Sequence, residues 1–316
     1  MTLTIGIDVG GTKVAGGVVD EQGNVLAQVR RSTPAKDQAG TRDTIVEVAA
    51  ELAAAYPSAM AIGIGAAAWI DATGSTVLFA PNLAWHDEPL RDYVAKAVGL
   101  PTVLENDANV AAWAEFRFGA ARQAEDSMVM ITVGTGIGGG VVLNGGLWRG
   151  ANGIAGELGH IQSVPDGHPC GCGRLGCIEQ YASGNALVRF ARAGALREPE
   201  RAAGLLVQAG GDPNKISGSM VTEAARAGDE VARDAFAQVG YWLGVALADL
   251  AQIFDPQVLV VGGGVVESGD LLLLPTERAY RDQLAQRRRF PVADLKPAEA
   301  GNAAGVVGAA DLARRI

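Results

Sequence analysis

The sequence has no uninterrupted apolar stretch near the roughly 18 residues that a membrane-spanning helix requires. No basic segment precedes an apolar one in the opening Met1-Thr2-Leu3-Thr4-Ile5-Gly6-Ile7-Asp8. Neither a membrane span nor a secretory leader is expected, and a cytoplasmic location is. There is no basic surplus either: 35 acidic against 26 basic side chains leave a net charge of −9. The long-range field repels phosphate backbones and anionic lipid, and the short run Arg287-Arg288-Arg289 does not reverse it. Nucleic acid and membrane surfaces are therefore not expected partners. Cysteine is scarce, three in 316 residues, an odd number that suits a disulfide framework poorly. What is present is an ordinary globular composition, 48% hydrophobic and 19% charged, long enough for two domains.

Turn residues divide the N-terminus into three strand-like runs, 2–9, 13–20 and 25–31, spaced as antiparallel neighbours. The same plan returns at 127–133, a glycine cluster at 134–140, 141–143, the turn Asn144-Gly145-Gly146 and Leu147-Trp148, so a strand–glycine turn–strand unit is duplicated. Between the copies, Ile45, Val48, Ala49 and Leu52 recur at helical spacing, 61–67 reads as a buried strand, and Leu90, Val94 and Val98 form a second helical stripe. A short strand at 101–104 runs into Glu105-Asn106-Asp107, and 108–118 reads as a helix closed by Gly119. Helices are expected over 178–193, 220–232, 234–254, 270–287 and 303–315, with one further strand at 257–261 that ends in Gly262-Gly263-Gly264. The stretch 195–218, rich in Gly, Pro and polar residues, reads as a surface excursion. Alternating strands and helices imply an α/β architecture.

Gly134-Thr135-Gly136-Ile137-Gly138-Gly139 carries the letters of the dinucleotide fingerprint, but that motif needs a helix to follow, and here Val141-Val142-Leu143 and an Asn-Gly turn follow. What remains are two hairpin turns, residues 8–13 and 134–139, whose unobstructed N–H groups can form nests for phosphate oxygens. Either turn alone could be no more than a tight hairpin. Paired, with Asp8 ahead of the first and Thr12 and Thr135 as hydroxyl donors, they favour phosphate binding. The three cysteines, Cys170, Cys172 and Cys177, can converge on one soft or borderline cation, and a tetrahedral Zn²⁺ site needs a fourth ligand. Spacing offers both His160 and His168.

Ile7-Asp8-Val9-Gly10-Gly11-Thr12-Lys13 resembles the first phosphate motif of the sugar kinases of the actin, Hsp70 and hexokinase superfamily. With Glu105-Asn106-Asp107, Glu157-Leu158-Gly159-His160 and the cysteine cluster, the chain resembles the ROK family, and within it the bacterial glucokinases. The resemblance implies a two-lobed, actin-like (ribonuclease H-like) α/β ATPase fold with a duplicated hairpin-rich core. The smaller lobe would be residues 1–115 completed by a C-terminal helix at 302–316, and the larger 116–301 with a zinc loop at 160–177. It implies transfer of the terminal phosphoryl group of ATP to the 6-hydroxyl of D-glucose, with Mg²⁺ and a structural Zn²⁺, in a homodimer or homotetramer. Other hexoses or N-acetylhexosamines, polyphosphate as donor, and a sugar-sensing regulator are the alternatives.

Phosphoryl transfer asks the protein for positioning, charge stabilisation and one acceptor for the hydroxyl proton. Asp107 is the candidate: a helix starting beside it would favour its ionised form, and the resemblance puts the general base there, although an aspartate in such a place is commonly only a helix cap. By the same resemblance Asn106 and Asp107 hold hydroxyls near the reacting end, Glu157, His160 and Glu179 contact the anomeric end, and Asn82 lies near the sugar. It favours His160 as the fourth zinc ligand, puts Asp8 near Mg²⁺ through water, and assigns donor contacts to Gly10, Gly11, Thr12, Lys13, Gly134, Thr135 and Gly136. Gly263, Gly264 and Asn302 take the adenosine side. Ala68 stands where similar proteins often have glycine, which bears on the fit of the sugar.

Overall fold

The computed structural model describes residues 2–80, 82–287 and 290–316. Pro81 of the Pro81-Asn82-Leu83 segment, and Arg288 and Arg289 of the basic run, lie outside the described residues. The chain divides into two compact units, the first Met1–Met128, Gly140–Gly156 and Ala298–Ile316, the second Val129–Gly139 and Glu157–Pro297.

In the first unit β1 (Leu3–Val9), β2 (Lys13–Val19) and β3 (Val25–Ser32) form the expected antiparallel meander, and β4 (Ala59–Ala66) and β8 (Thr102–Asn106) extend it in parallel, in the order β3-β2-β1-β4-β8. The odd residues of β1, Ile5, Ile7 and Val9, enter the apolar core with Ile45, Val48, Ala49 and Leu52 of α1 (Gln38–Ala55). The even residues face α10 (Ala304–Ala313): Arg314, just beyond it, donates to the Thr4 hydroxyl at 2.9 Å, and Gly6 lies so close that a Cβ there would stand 1.8 Å from the Val306 carbonyl oxygen. Gly63 of β4 is equally close to Ala309, and Gly308 of α10 to Val110 of α3 (Asp107–Arg117). Glycines thus seat α10 at backbone distance on both neighbours. Helix α2 (Leu90–Val98) buries Leu90 and Val94 and stops at Gly99, whose φ of 79° is left-handed.

A small sheet that the sequence did not announce, β5 (Trp69–Ile70), β6 (Val77–Phe79) and β7 (His86–Glu88), is organised by Asp71. Burial raises the Asp71 carboxyl, but hydrogen bonds from the Thr73 hydroxyl and the N–H groups of Thr76, Ser75 and Thr73 outweigh that and hold it at about 2.

The duplicated plan is present in β9 (Met128–Val133), β10 (Ile137–Leu143) and β11 (Gly146–Leu147), within a sheet of order β11-β10-β9-β12-β13 completed by β12 (Val258–Gly262) and β13 (Asp294–Pro297). Strand β10 starts earlier than expected, so Gly138, Gly139 and Gly140 are strand residues. No helix follows the second glycine turn, against the dinucleotide fingerprint.

The helices of the second unit are α4 (Glu179–Ala182), α5 (Gly184–Arg197), α6 (Ala203–Gln208), α7 (Gly218–Ala227), α8 (Glu230–Phe254) and α9 (Asp270–Gln283). Several expectations need correction. The helix expected over 178–193 breaks at Ser183, whose extended backbone lets its hydroxyl accept from Ala186 N at 3.2 Å and cap α5. Helix α7 ends five residues early because Gly228 turns left-handed, and Asp229 then caps α8. Residues 195–218 are no simple excursion: Ala202, Leu205, Ala209 and Ile216 are buried, and α6 forms among them.

The unit boundaries differ from 1–115 with 302–316 against 116–301. Glu115 is the reason on the first side: its carboxylate accepts from Ala120 N (2.8 Å), Glu299 N (3.0 Å) and Ala300 N (2.7 Å), which fastens both flanking segments to α3. Gly140 packs on Ala112, and Arg149 pairs with Glu105, so 140–156 also belongs to the first unit.

Candidate active site

The first unit carries one set of the expected residues. Strands β1 and β2 are joined by Gly10-Gly11-Thr12, closed by a hydrogen bond from Gly10 N to the Lys13 carbonyl at 3.0 Å. Thr33 fixes the turn from the side, its hydroxyl donating to Gly10 O (2.8 Å) and its N–H to Thr12 O (3.1 Å). Asn82 lies against it, with its carbonyl oxygen 3.3 Å from where a Gly11 Cβ would be. Thr12 and Lys13 are exposed. Asp8, at the end of β1, abuts the first turn of α10: a Cβ on Gly305 would meet its carboxyl carbon at 2.7 Å. Burial raises the Asp8 carboxyl and the charge of Asp107 raises it further, while Lys13 pulls it down.

Asp107 is the first residue of α3, and it is not the cap. That work falls to Asn106, whose side-chain oxygen accepts from Ala108 N at 2.9 Å and Asn109 N at 3.1 Å. The Asn106 amide also donates to the Ala68 carbonyl (3.1 Å), which leaves it one N–H for a ligand. The Ala68 methyl group is itself part of the apolar core. Asp107 accepts from Ala108 N at 2.9 Å. The expectation that the helix start favours its ionised form is corrected: burial raises the carboxyl, and the hydrogen bonds from Ala108 N and its own N–H only oppose that.

The second unit carries the other set. The turn Gly134-Thr135-Gly136 has the same three-residue length as the first, with Gly134 N donating to Gly136 O at 3.0 Å. Its carbonyls accept from the first N–H groups of α5, Gly184 N to Gly134 O (2.8 Å) and Asn185 N to Thr135 O (3.4 Å). The space beside Gly134 is open, and Thr135 is exposed. Gly263, with φ of 91°, follows β12 so closely against Val133 that a Cβ would stand 2.4 Å from its carbonyl oxygen, whereas Gly264 has nothing near it. Asn302 belongs to the first unit, in the 3-10 turn Gly301–Ala303.

Of the two histidines that spacing left open, His160 joins the cysteines. One donor atom each from His160, Cys170, Cys172 and Cys177 lie within 4.8 Å of one another. Cys170 Sγ is 3.5 Å from His160 Nδ1, and Cys172 Sγ is 3.6 Å from Cys177 Sγ. His168 lies with Tyr181 instead, its backbone N–H donating to the Tyr181 hydroxyl at 2.9 Å and its ring lying 5.6 Å from the Tyr181 ring. Gly176 lets the loop double back, since a Cβ there would stand 1.6 Å from Val164 O. Three sulfurs and an imidazole in a closed group are a borderline-soft, tetrahedral donor set, which suits zinc. His160 Nε2 points the other way, 3.9 Å from the Glu157 carboxylate.

Glu179 is neither a free surface acid nor a residue of the loop alone. One carboxylate oxygen accepts from Ile137 N at 3.1 Å and the other lies 3.7 Å from Cys170 Sγ, so it bridges the second glycine turn to the cysteine cluster. Sequence reasoning gave Glu105 no role beyond its place in the motif and missed Arg149 and Gly305, because nothing in their spacing says that they touch functional groups.

The ROK family profile matches residues 4–316. A glucokinase of Streptomyces coelicolor is 49% identical over 314 residues, which cover 99% of this chain and 98% of the relative. Among solved structures, a ROK family glucokinase from Streptomyces griseus in complex with glucose and AMPPNP superposes with a TM-score of 0.87 at 49% identity, over 99% of this chain and 100% of that one. The ROK hexokinase of Thermus thermophilus superposes with a TM-score of 0.85 at 35% identity, over 99% and 98%. Motifs, fold and full-length similarity agree: the chain belongs to the ROK family.

Proposed function

We propose that the protein transfers the terminal phosphoryl group of ATP to the 6-hydroxyl of D-glucose, giving glucose 6-phosphate and ADP. The observation that carries the reading is the junction of β8 and α3: because Asn106 caps the helix, the Asp107 carboxyl is left for a substrate, and burial lifts its affinity for a proton. A general base works best when its pKa lies closer to the working pH than that of a solvated carboxylate. Asp107 takes the hydroxyl proton as the oxygen attacks the phosphorus. Asn106 donates its remaining N–H to a sugar hydroxyl. Asn82, Glu157, His160 and Glu179 complete the sugar contacts, and the resemblance to the Streptomyces glucokinase structure with glucose supports this assignment.

The two turns, Gly10 to Lys13 and Gly134 to Gly136, offer N–H groups to the donor phosphates, with Gly263, Gly264 and Asn302 toward adenosine. Asp8 would hold Mg²⁺ through water, which neutralises phosphate charge. His160, Cys170, Cys172 and Cys177 would hold a structural Zn²⁺ that shapes the loop bearing His160. The same reading places the enzyme in the cytoplasm; among the described residues no helix is long and apolar enough to cross a membrane. A homodimer or homotetramer is the expected assembly, read out by light scattering.

The test is coupled ADP release from Mg-ATP with glucose, mannose, fructose, N-acetylglucosamine and N-acetylmannosamine in parallel. Glucose should give the largest kcat/KM. A larger value for another sugar would overturn the substrate assignment and leave the kinase chemistry. Sugar binding without turnover of any of them would overturn the chemistry itself.

A further inference from the structure

We infer that Glu105 and Arg149 form a positioning pair that aims Asn106 and Asp107 at the sugar. The inference rests on the reading of Asp107 as the base. The Glu105 side chain is only 4% exposed, near the end of β8 before α3, while that of Arg149 is 45% exposed. One Glu105 oxygen accepts from Asn106 N and from the Asn109 side-chain amide, both at 2.9 Å, and the other accepts from the Arg149 guanidinium. Asn106 in turn accepts from Asn109 N, so Glu105, Asn106 and Asn109 close a ring of hydrogen bonds with Asp107 held inside it along the chain. The side-chain oxygen of Asn109 is buried and has no partner among the described residues, so that amide is oriented by its donor end alone, toward Glu105.

The Glu105 carboxylate is buried, and the Arg149 guanidinium is the cation that stands beside it and offsets the cost of that burial. Arg149 carries a second constraint. Its carbonyl accepts from Ala155 N at 3.1 Å, and Gly153, two residues earlier, is pressed against Ile70 and Asp71 at a distance where a Cβ would stand 2.7 Å from backbone atoms. Residues 149–156 are thereby fixed through Arg149 to Glu105 of β8 and through Gly153 to the end of β5, and the next residue in the chain is Glu157. Without Arg149 the ring loses its counterion, and Asn106 and Asp107 lose their fixed direction. The phosphate turns keep all of their own contacts.

The pair therefore affects the sugar and the chemical step, and not the binding of the phosphoryl donor. Arg149→Met should lower kcat at least tenfold and raise the sugar KM, with the Mg-ATP KM within twofold of wild type. Arg149→Lys, which restores the charge without the planar fork, should recover part of the loss. In a double-mutant cycle, Arg149→Met on a Glu105→Gln background should cost little more, because the two act through one contact. A kcat within twofold of wild type for Arg149→Met would overturn the inference, as would a loss that falls on the Mg-ATP KM, no recovery with lysine, or effects that multiply in the double variant. Asp107→Asn, assayed alongside, separates the two readings. If it keeps turnover, the base assignment fails; if it abolishes turnover while Arg149→Met does not lower it, only the positioning pair fails.

Discussion

Asp107 keeps its carboxyl in surroundings that favour the protonated form, and the cost of that can be measured. Its folded pKa is raised above the ordinary 3.8, so the folded state binds the proton more tightly than the unfolded chain does. The resulting stability is fully present below the unfolded value and is lost as pH rises through the folded one. Near neutral pH the ionised carboxylate is therefore a burden on the fold. Asp107→Asn should raise Tm at pH 8, and the gain should shrink as the pH is lowered toward 4; a thermal series across that range checks it, and a Tm gain that grows on acidification contradicts it. In the base role proposed for Asp107, that burden trades stability for turnover. Asp107 was legible in the sequence because Glu105-Asn106-Asp107 sits where a strand meets a helix. The direction of its proton affinity was not legible, since burial depends on α3, α10 and the segments folded around them.

Helix α10 is held by backbone approach at its glycine contacts as well as by the packing of Val306, Val307 and Ala310, so two substitutions of one type at those contacts should behave differently. Gly63→Ala puts a methyl group 1.8 Å from the Ala309 carbonyl, which cannot yield, and should cost about 3 kcal/mol or more. Gly305→Ala meets the Asp8 side chain, its carboxyl carbon at 2.7 Å and its Cβ at 3.0 Å, rather than a backbone carbonyl, and alanine is the better helix former by about 1 kcal/mol. Its Tm should hardly change while turnover falls, because Asp8 must swing aside; denaturation and kinetics on the same preparations check both. The elements that the sequence announced were those with several periods of pattern: β1 to β3, the stripe of α1, the apolar run of α8. Strands of two or three residues such as β5 and β6 show no period at all, and the break at Ser183 depends on a cap that only the fold confirms.

Across the whole molecule, the division into units was the least legible feature, because Glu115 and Arg149 recruit segments from far along the chain by hydrogen bonds that carry no sequence period. The cysteine cluster was the most legible, since three thiols and a histidine within 18 residues form a metal-ligand pattern that packing alone does not require. Its loss should extend to the second glycine turn, because Glu179 links Cys170 to it. Cys172→Ser, at an exposed position, should remove bound zinc, lower Tm and raise the Mg-ATP KM; wild-type protein that carries no zinc in metal analysis would contradict this. The seating of α10 has a consequence in time as well as in space. A ribosome delivers Gly6 and Asp8 long before Val306, yet one face of β1 is shaped for α10 alone. Until residues 304–313 emerge, that face is bare and Asp8 lacks the Gly305 backbone behind it, so the first sheet can be completed only once the segment 304–313 has been made.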